Sequence, residues 1–136
     1  WLRVEPLKFN ENMCVINFRG GEYALFNDLF LTRDYWNEAV RVMKIINPTM
    51  EFVVHTDDVV TASKFFPDFP ILQDMAMNWR SIRYAPYLVL SNSSFAILPA
   101  LLNENVKEII APRYWARRNT KTWALPQNYY KKFKYI

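Results

Sequence analysis

The chain contains two glycines, one cysteine and one histidine in 136 residues. A single cysteine excludes a disulfide framework, and the position of Cys14 in the apolar run MCVI indicates a packed side chain in a reducing, cytoplasmic compartment. No apolar run approaches the roughly 18 residues needed to span a bilayer. No cluster of histidine, cysteine and carboxylate has metal-ligand spacing, so no metal cofactor is expected. The chain begins at Trp1 without a recognisable signal peptide, and we expect a piece of a longer protein.

The hydrophobic fraction of 51% and the aromatic fraction of 17% exclude a disordered chain. No Ser/Gly linker or internal repeat divides the sequence, so residues 1–136 are predicted to form a single domain. The net charge of +4 is uneven, because seven basic residues and no acidic one follow position 108. The ten remaining basic residues stand against thirteen acidic ones, which gives the body a net charge of −3.

This distribution defines a basic aromatic tail at about 116–136, ending in YYKKFKYI. Three interpretations stay open: a solvated and partly packed terminus, contact with the inner membrane face or an acidic partner, and a grip on single-stranded nucleic acid. A nucleic-acid binder should also line its other motifs with Lys and Arg, and this chain does not. No nucleic-acid partner is therefore expected.

Short apolar runs alternate with helical patterns along the chain. Strands are predicted at 13–18, 51–55, 71–72, 87–90 and 107–111, with FRGGEY after the first as a loop. Helices are predicted from the cap Thr32 to Ile46, from Thr56-Asp57-Asp58 to about Phe65, from Asp74 through Arg83, and from SNSS (91–94) to Leu102. Short apolar strands alternating with helices predict an α/β fold, a doubly wound parallel sheet of Rossmann type.

In such a sheet, ligands bind outside the carboxyl ends of the strands. Both glycines, Gly20 and Gly21, fall at one such end beside Arg19, which suits close approach of a phosphate. A glycine turn with a surface arginine is the plainer alternative. TDD (56–58) and SNSS (91–94) follow two other strands, and each suits either helix capping or a ligand's polar groups. His55 ends an apolar strand, where packing is the more frequent role of a histidine.

Four stretches in this order resemble the α-1,2-fucosyltransferase family of GDP-fucose-dependent glycosyltransferases. NFRGGEY (17–23) is similar to the family's H-x-R-R-G-D-Y, and HTDD (55–58) stands where the family has S-D-D. NSSFAILPALLN (92–103) and IIAPRYW (109–115) are similar to two later family motifs. Asn17, Gly20 and Glu22 depart from the family's histidine, second arginine and aspartate.

The resemblance implies the C-terminal, donor-binding half of a two-domain GT-B glycosyltransferase, with inverting transfer of fucose from GDP-fucose to a glycan hydroxyl. It implies a missing N-terminal domain that contacts the acceptor, and a place in bacterial surface-glycan biosynthesis. Arg19 would bind the donor diphosphate, with Glu22 orienting it or acting as base. The implied donor-binding residues are Asn17, Arg19, Gly20, Gly21, His55, Asp57, Asp58, Asn92, Ser93, Ser94 and Phe95. A divergent enzyme using another nucleotide sugar, and a non-catalytic nucleotide-binding module, stay open.

Overall fold

A computed structural model describes residues 9–26, 30–114 and 129–136. They form one six-stranded sheet in which all neighbours run parallel, in the order β3-β2-β1-β4-β5-β6. The strands are β1 (Met13–Phe18), β2 (Glu51–Thr56), β3 (Ile71–Leu72), β4 (Tyr87–Val89), β5 (Glu108–Ala111) and β6 (Lys134–Tyr135). The helices are α1 (Gly21–Leu25), α2 (Arg33–Ile46), α3 (Val59–Phe65), α4 (Met75–Tyr84) and α5 (Ser94–Leu102).

The two faces of the sheet carry separate cores because alternate residues of a strand point to opposite sides. Cys14, Ile16 and Phe18 of β1 pack with residues of α2 and α3. Val15 of β1 packs with residues of α4 and α5, among them Ile82. Helices thus cover both faces, and the prediction of a doubly wound α/β fold is confirmed.

Phe18, the last residue of β1, is fixed by four aromatic side chains. The rings of Phe30, Trp36, Phe65 and Phe66 have centroids 5.1–6.1 Å from that of Phe18. Edge-to-face and tilted contacts of this kind add about 0.5–1.5 kcal/mol each beyond the area they bury. The backbone that leads into Arg19 and the glycines therefore starts from a rigid point.

Two predictions about local structure are wrong. The FRGGEY stretch is not wholly a loop, because α1 begins at Gly21. The strand at 107–111 is not the last one, because Lys134 and Tyr135 pair with Ile110 and Ala111 and add a sixth strand. A five-residue helix that opens with glycine and a two-residue strand that opens with lysine both lack the periodicity on which the predictions rested.

The end of the chain is packed as well as paired. Phe133 is buried in the core with α4 and α5. The Nζ of Lys132 donates to the carbonyls of Leu101, at 2.9 Å, and Asn103, at the end of α5. A cation there satisfies carbonyls that the helix leaves free. The described part of the predicted tail, 129–136, is thus partly packed, while 116–128 lies outside the described residues.

Candidate functional site at the carboxyl edge

The order of strands reverses between β1 and β4, since β2 and β3 lie on one side of β1 and β4 to β6 on the other. In open α/β sheets the crevice outside the carboxyl ends of such a strand pair is the usual ligand site. Arg19, Gly20 and Gly21 follow β1 at this point, and Ser91 to Ser93 follow β4. Two of the three predicted polar motifs, FRGG after β1 and SNSS after β4, therefore lie beside the reversal. The third motif, TDD, follows β2, one strand away.

The structure brings the glycine pair and the TDD motif together. The amide of Gly20 donates to Oδ1 of Asp57 at 2.9 Å, and the amide of Gly21 donates to Oδ2 of Asp58 at 3.1 Å. The strands are neighbours in register, with Phe18 opposite Thr56, so the residues that follow each strand meet. The carboxylates of Asp57 and Asp58 therefore occupy the place beside the glycine amides where the sequence predicted a phosphate.

Both glycines are required by this contact. A Cβ on Gly20 would lie 2.8 Å from the Cβ of Asp58, and a Cβ on Gly21 would lie 2.7 Å from Oδ2 of Asp57. Gly21 also has a φ of +43°, in the left-handed region that other residues adopt with strain. A side chain at either position would push the carboxylates away from the amides that bind them.

The carboxylate of Asp58 accepts hydrogen bonds from residues of both α1 and α3. Asp58 is the N-cap of α3, where its Oδ1 accepts from the amide of Thr61 at 3.1 Å and its Oδ2 from the hydroxyl of Thr61. These hydrogen bonds from Thr61, with a smaller contribution from the Gly21 amide, lower the pKa of Asp58 below its usual value. A carboxylate fixed in this way stays ionised and accepts hydrogen bonds.

Arg19 lies against Asp57 and Tyr23. Its Nε is 3.4 Å from Oδ2 of Asp57, and its guanidinium carbon is 5.2 Å from the centre of the Tyr23 ring. The Nε makes no hydrogen bond to any described residue, and about a quarter of the side chain is exposed (27%). Asp57, and not Glu22, is the carboxylate that touches this guanidinium; Glu22 is exposed in the first turn of α1.

Asn17 lies beneath the crevice rather than in it. The side chain is fully buried; its Oδ1 accepts from the hydroxyl of Ser91 at 2.8 Å, and its Nδ2 donates to Oδ1 of Asn78 at 3.4 Å. These bonds tie the end of β1 to the residue after β4 and to α4. Asn17 is therefore a support for the crevice floor.

The residues after β4 differ in accessibility. Asn92 and Ser93 are buried, Phe95 is half-buried and Ser94 is exposed. Ser93 is the N-cap of α5, and its side chain makes no capping hydrogen bond. The first amides of α5 are therefore not capped by that hydroxyl, and a helix start of this kind favours an anion.

His55 lies apart from these groups. Its register partner on β1 is Asn17, and its imidazole is nearly fully buried in a groove lined also by Met77 and Ser81 of α4. That groove contains none of Arg19, Gly20, Gly21, Asp57 or Asp58. Burial lowers the pKa of His55, with partial compensation from Asp74. The expectation that His55 packs within the fold agrees with this position.

The sequence analysis did not predict a role for Asn78, Ser81 or Thr61, which contact or lie beside the predicted site residues. Asn78 and Ser81 occupy the buried face of α4 together with Ile82, so polar residues at i, i+3 spacing inside a buried stripe were an available signal. Thr61 stands three residues after Asp58, the spacing at which a cap meets an N3 residue.

The chain matches none of the family models, curated proteins or solved structures with which it was compared. Within the described ranges, no group of three or more metal-binding side chains occurs. No helix in those same ranges is long and apolar enough to cross a membrane.

Proposed function

We propose that this domain binds the donor of a glycosyltransferase, a nucleoside-diphosphate sugar, with the diphosphate in the crevice between the ends of β1 and β4. The observation that carries the proposal is the placement of Arg19 after β1 and the start of α5 after β4, on the two sides of the strand reversal. A guanidinium and a helix start that the hydroxyl of its N-cap residue does not cap are complementary to a diphosphate.

The glycine amides have a different role in this proposal. They already donate to Asp57 and Asp58, so the diphosphate is bound by Arg19 and α5 instead. Asp57 orients the guanidinium, the role predicted for Glu22. The exposed part of the Asp57 carboxylate is suited to accept a hydrogen bond from a ribose hydroxyl at the end of β2.

The reaction proposed is inverting transfer of a sugar to a hydroxyl of a glycan acceptor, with fucose from GDP-fucose as the first donor to test. The bond between the sugar carbon and the diphosphate oxygen breaks, and negative charge develops on the departing diphosphate. Arg19 stabilises that charge, and one preorganised donor of this kind contributes about 2.7–4 kcal/mol to the transition state. Contacts to the acceptor are assigned to the other domain of the two-domain enzyme.

The test is calorimetric titration of GDP, UDP and ADP into the protein and two variants. Arg19→Ala removes the proposed diphosphate ligand. Arg41→Ala is the matched control, because Arg41 also pairs with a carboxylate, Glu38 at 2.6 Å, but lies on α2 away from the crevice. We expect saturable GDP binding that weakens about tenfold or more in Arg19→Ala and is unchanged in Arg41→Ala, since charged hydrogen bonds contribute about 1.5–3 kcal/mol.

Each contrary result has a definite meaning. A folded protein that binds no nucleotide, or equal losses in both variants, overturns the diphosphate site. Preference for UDP keeps the nucleotide-sugar site and overturns GDP-fucose as donor.

A further inference from the structure

A second concave region lies beside β2, at the lateral edge of the sheet that is formed by β3. The edge strand β3 pairs only with Val54 and His55, so the first half of β2 has no neighbour on that side among the described residues. A groove of about 740 Å³ occupies this place. Its volume lies within the range of small-molecule pockets, roughly 300–1,000 Å³.

The walls of the groove are mainly apolar. They include the methionines Met13, Met50 and Met77 and the aromatic rings Phe9, Phe52 and Phe69. The rings of Phe52 and Phe69 are stacked, with centroids 4.8 Å apart. Thioethers and stacked rings pack well against a flat aromatic molecule. The charged residues that line the groove, Lys44, Glu51 and Asp68, are exposed and carry both signs, so the walls favour a neutral body.

His55 supplies one polar group in these walls. The residue is only 2% exposed, and its Nδ1 makes no hydrogen bond to any described residue. The side-chain amide of its register partner Asn17 bonds instead to Ser91 and Asn78. Buried polar groups without a partner are uncommon and costly, so a partnerless Nδ1 on an imidazole that lines a groove points to a ligand.

We propose that this groove binds a neutral aromatic molecule bearing a single hydroxyl, whose ring packs on the Met and Phe walls and whose hydroxyl forms a hydrogen bond with the imidazole of His55. The site is separate from the crevice between β1 and β4 and does not depend on the nucleotide-sugar proposal.

The probes are 6-fluoro-2-naphthol and 2-fluoronaphthalene, which share a ring system and differ in the hydroxyl. Their binding to the protein is followed by ¹⁹F NMR line broadening. We expect saturable binding of both, with the naphthol bound roughly three- to tenfold more tightly, the usual effect of one hydrogen bond. Excess GDP should not displace the naphthol.

Three variants test the location and the hydrogen bond. His55→Phe keeps a ring and removes the nitrogens; because Nδ1 is unpaired, this variant should fold at least as well as the original. Leu72→Trp places a large ring in the groove. Leu98→Trp is its control, since the two leucines are 45% and 44% exposed and Leu98 lies outside the groove.

The proposal requires that His55→Phe bind both probes equally, that Leu72→Trp weaken both, and that Leu98→Trp weaken neither. It is overturned by the absence of saturable binding, by a naphthol preference that persists in His55→Phe, by unchanged binding in Leu72→Trp, or by competition with GDP.

Discussion

Replacing Gly20 by alanine isolates the contact between the end of β1 and the TDD motif. Gly20 has a φ of −104° and a ψ of −109°, and the main consequence of an alanine there is the space that its Cβ occupies. The three atoms nearest to the added Cβ all belong to the side chain of Asp58, at 2.8, 2.9 and 3.2 Å. A carbon–carbon contact at 2.8 Å is about 0.7–1.2 Å inside the normal separation, so Asp58 must move.

The movement of Asp58 breaks specific hydrogen bonds. Displacing its Cβ pulls Oδ2 from the Gly21 amide and disturbs the cap that Oδ1 makes with Thr61. A charged hydrogen bond contributes about 1.5–3 kcal/mol and a cap about 1 kcal/mol. Because Asp58 is only partly buried, solvent screening favours the lower end. We expect Gly20→Ala to lower the free energy of unfolding by about 2 kcal/mol.

Urea denaturation measures this difference. With an m-value of roughly 1–3 kcal/mol/M, the midpoint should fall by about 1 M. Glu22→Ala, at an exposed neighbour, should change the free energy of unfolding by less than about 0.5 kcal/mol. In an Asp58→Gly background the obstructing side chain is gone, so Gly20→Ala should then lower the free energy of unfolding by clearly less. An equal loss of stability in both backgrounds would refute the steric argument.

Three further predictions concern Lys132, Asn17 and His55. Lys132→Met removes the cation from the carbonyls at the end of α5 and should lower the free energy of unfolding by about 1 kcal/mol, as measured in urea. Asn17→Ala leaves the buried hydroxyl of Ser91 and the carbonyl oxygen of Asn78 without their partner and should lower it by about 2–4 kcal/mol. His55, with its pKa lowered by burial, should make the protein less stable as the pH falls from 7.5 to 5, because the unfolded chain takes up the proton first, near pH 6.5. Thermal melts should show a smaller decrease over this range in His55→Phe.

Matched controls separate these effects from general damage. Lys131→Met, at the exposed neighbouring lysine, should leave the urea midpoint unchanged, and a loss equal to that of Lys132→Met would contradict the capping role. Asn10→Ala, at an exposed asparagine, serves in the same way for Asn17. An identical pH dependence in His55→Phe would show that other groups set the acid sensitivity.

The sheet was largely predictable because β1 to β5 each coincide with a short apolar run. The bounds of β1 and β3 agree with the prediction, and those of β2, β4 and β5 differ by a single residue. The helices α2 and α4 also begin next to the predicted caps, Thr32 and Asp74. Thr32 is the N-cap residue of α2, as predicted. Its side chain, however, makes no capping hydrogen bond.

The site was predictable in location and only partly in its contacts. Parallel strands end at one edge, so the meeting of FRGG with TDD follows from the order of the strands. That the glycines contact Asp57 and Asp58 could not be read from the sequence, because the same pattern allows close approach by a phosphate or by the chain itself. The roles of Asn17 and His55 depend on α4, whose buried polar residues belong to no recognised motif.

The central position of β1 has a consequence for synthesis on the ribosome. β1 precedes the other five strands in the chain, and β2 and β4 pair with its two sides. Each later strand then joins at an outer edge: β3 beyond β2, β5 beyond β4, and β6 beyond β5. None of the six described strands has to insert between two that are already paired, so this sheet can assemble outward in the order in which the nascent polypeptide emerges.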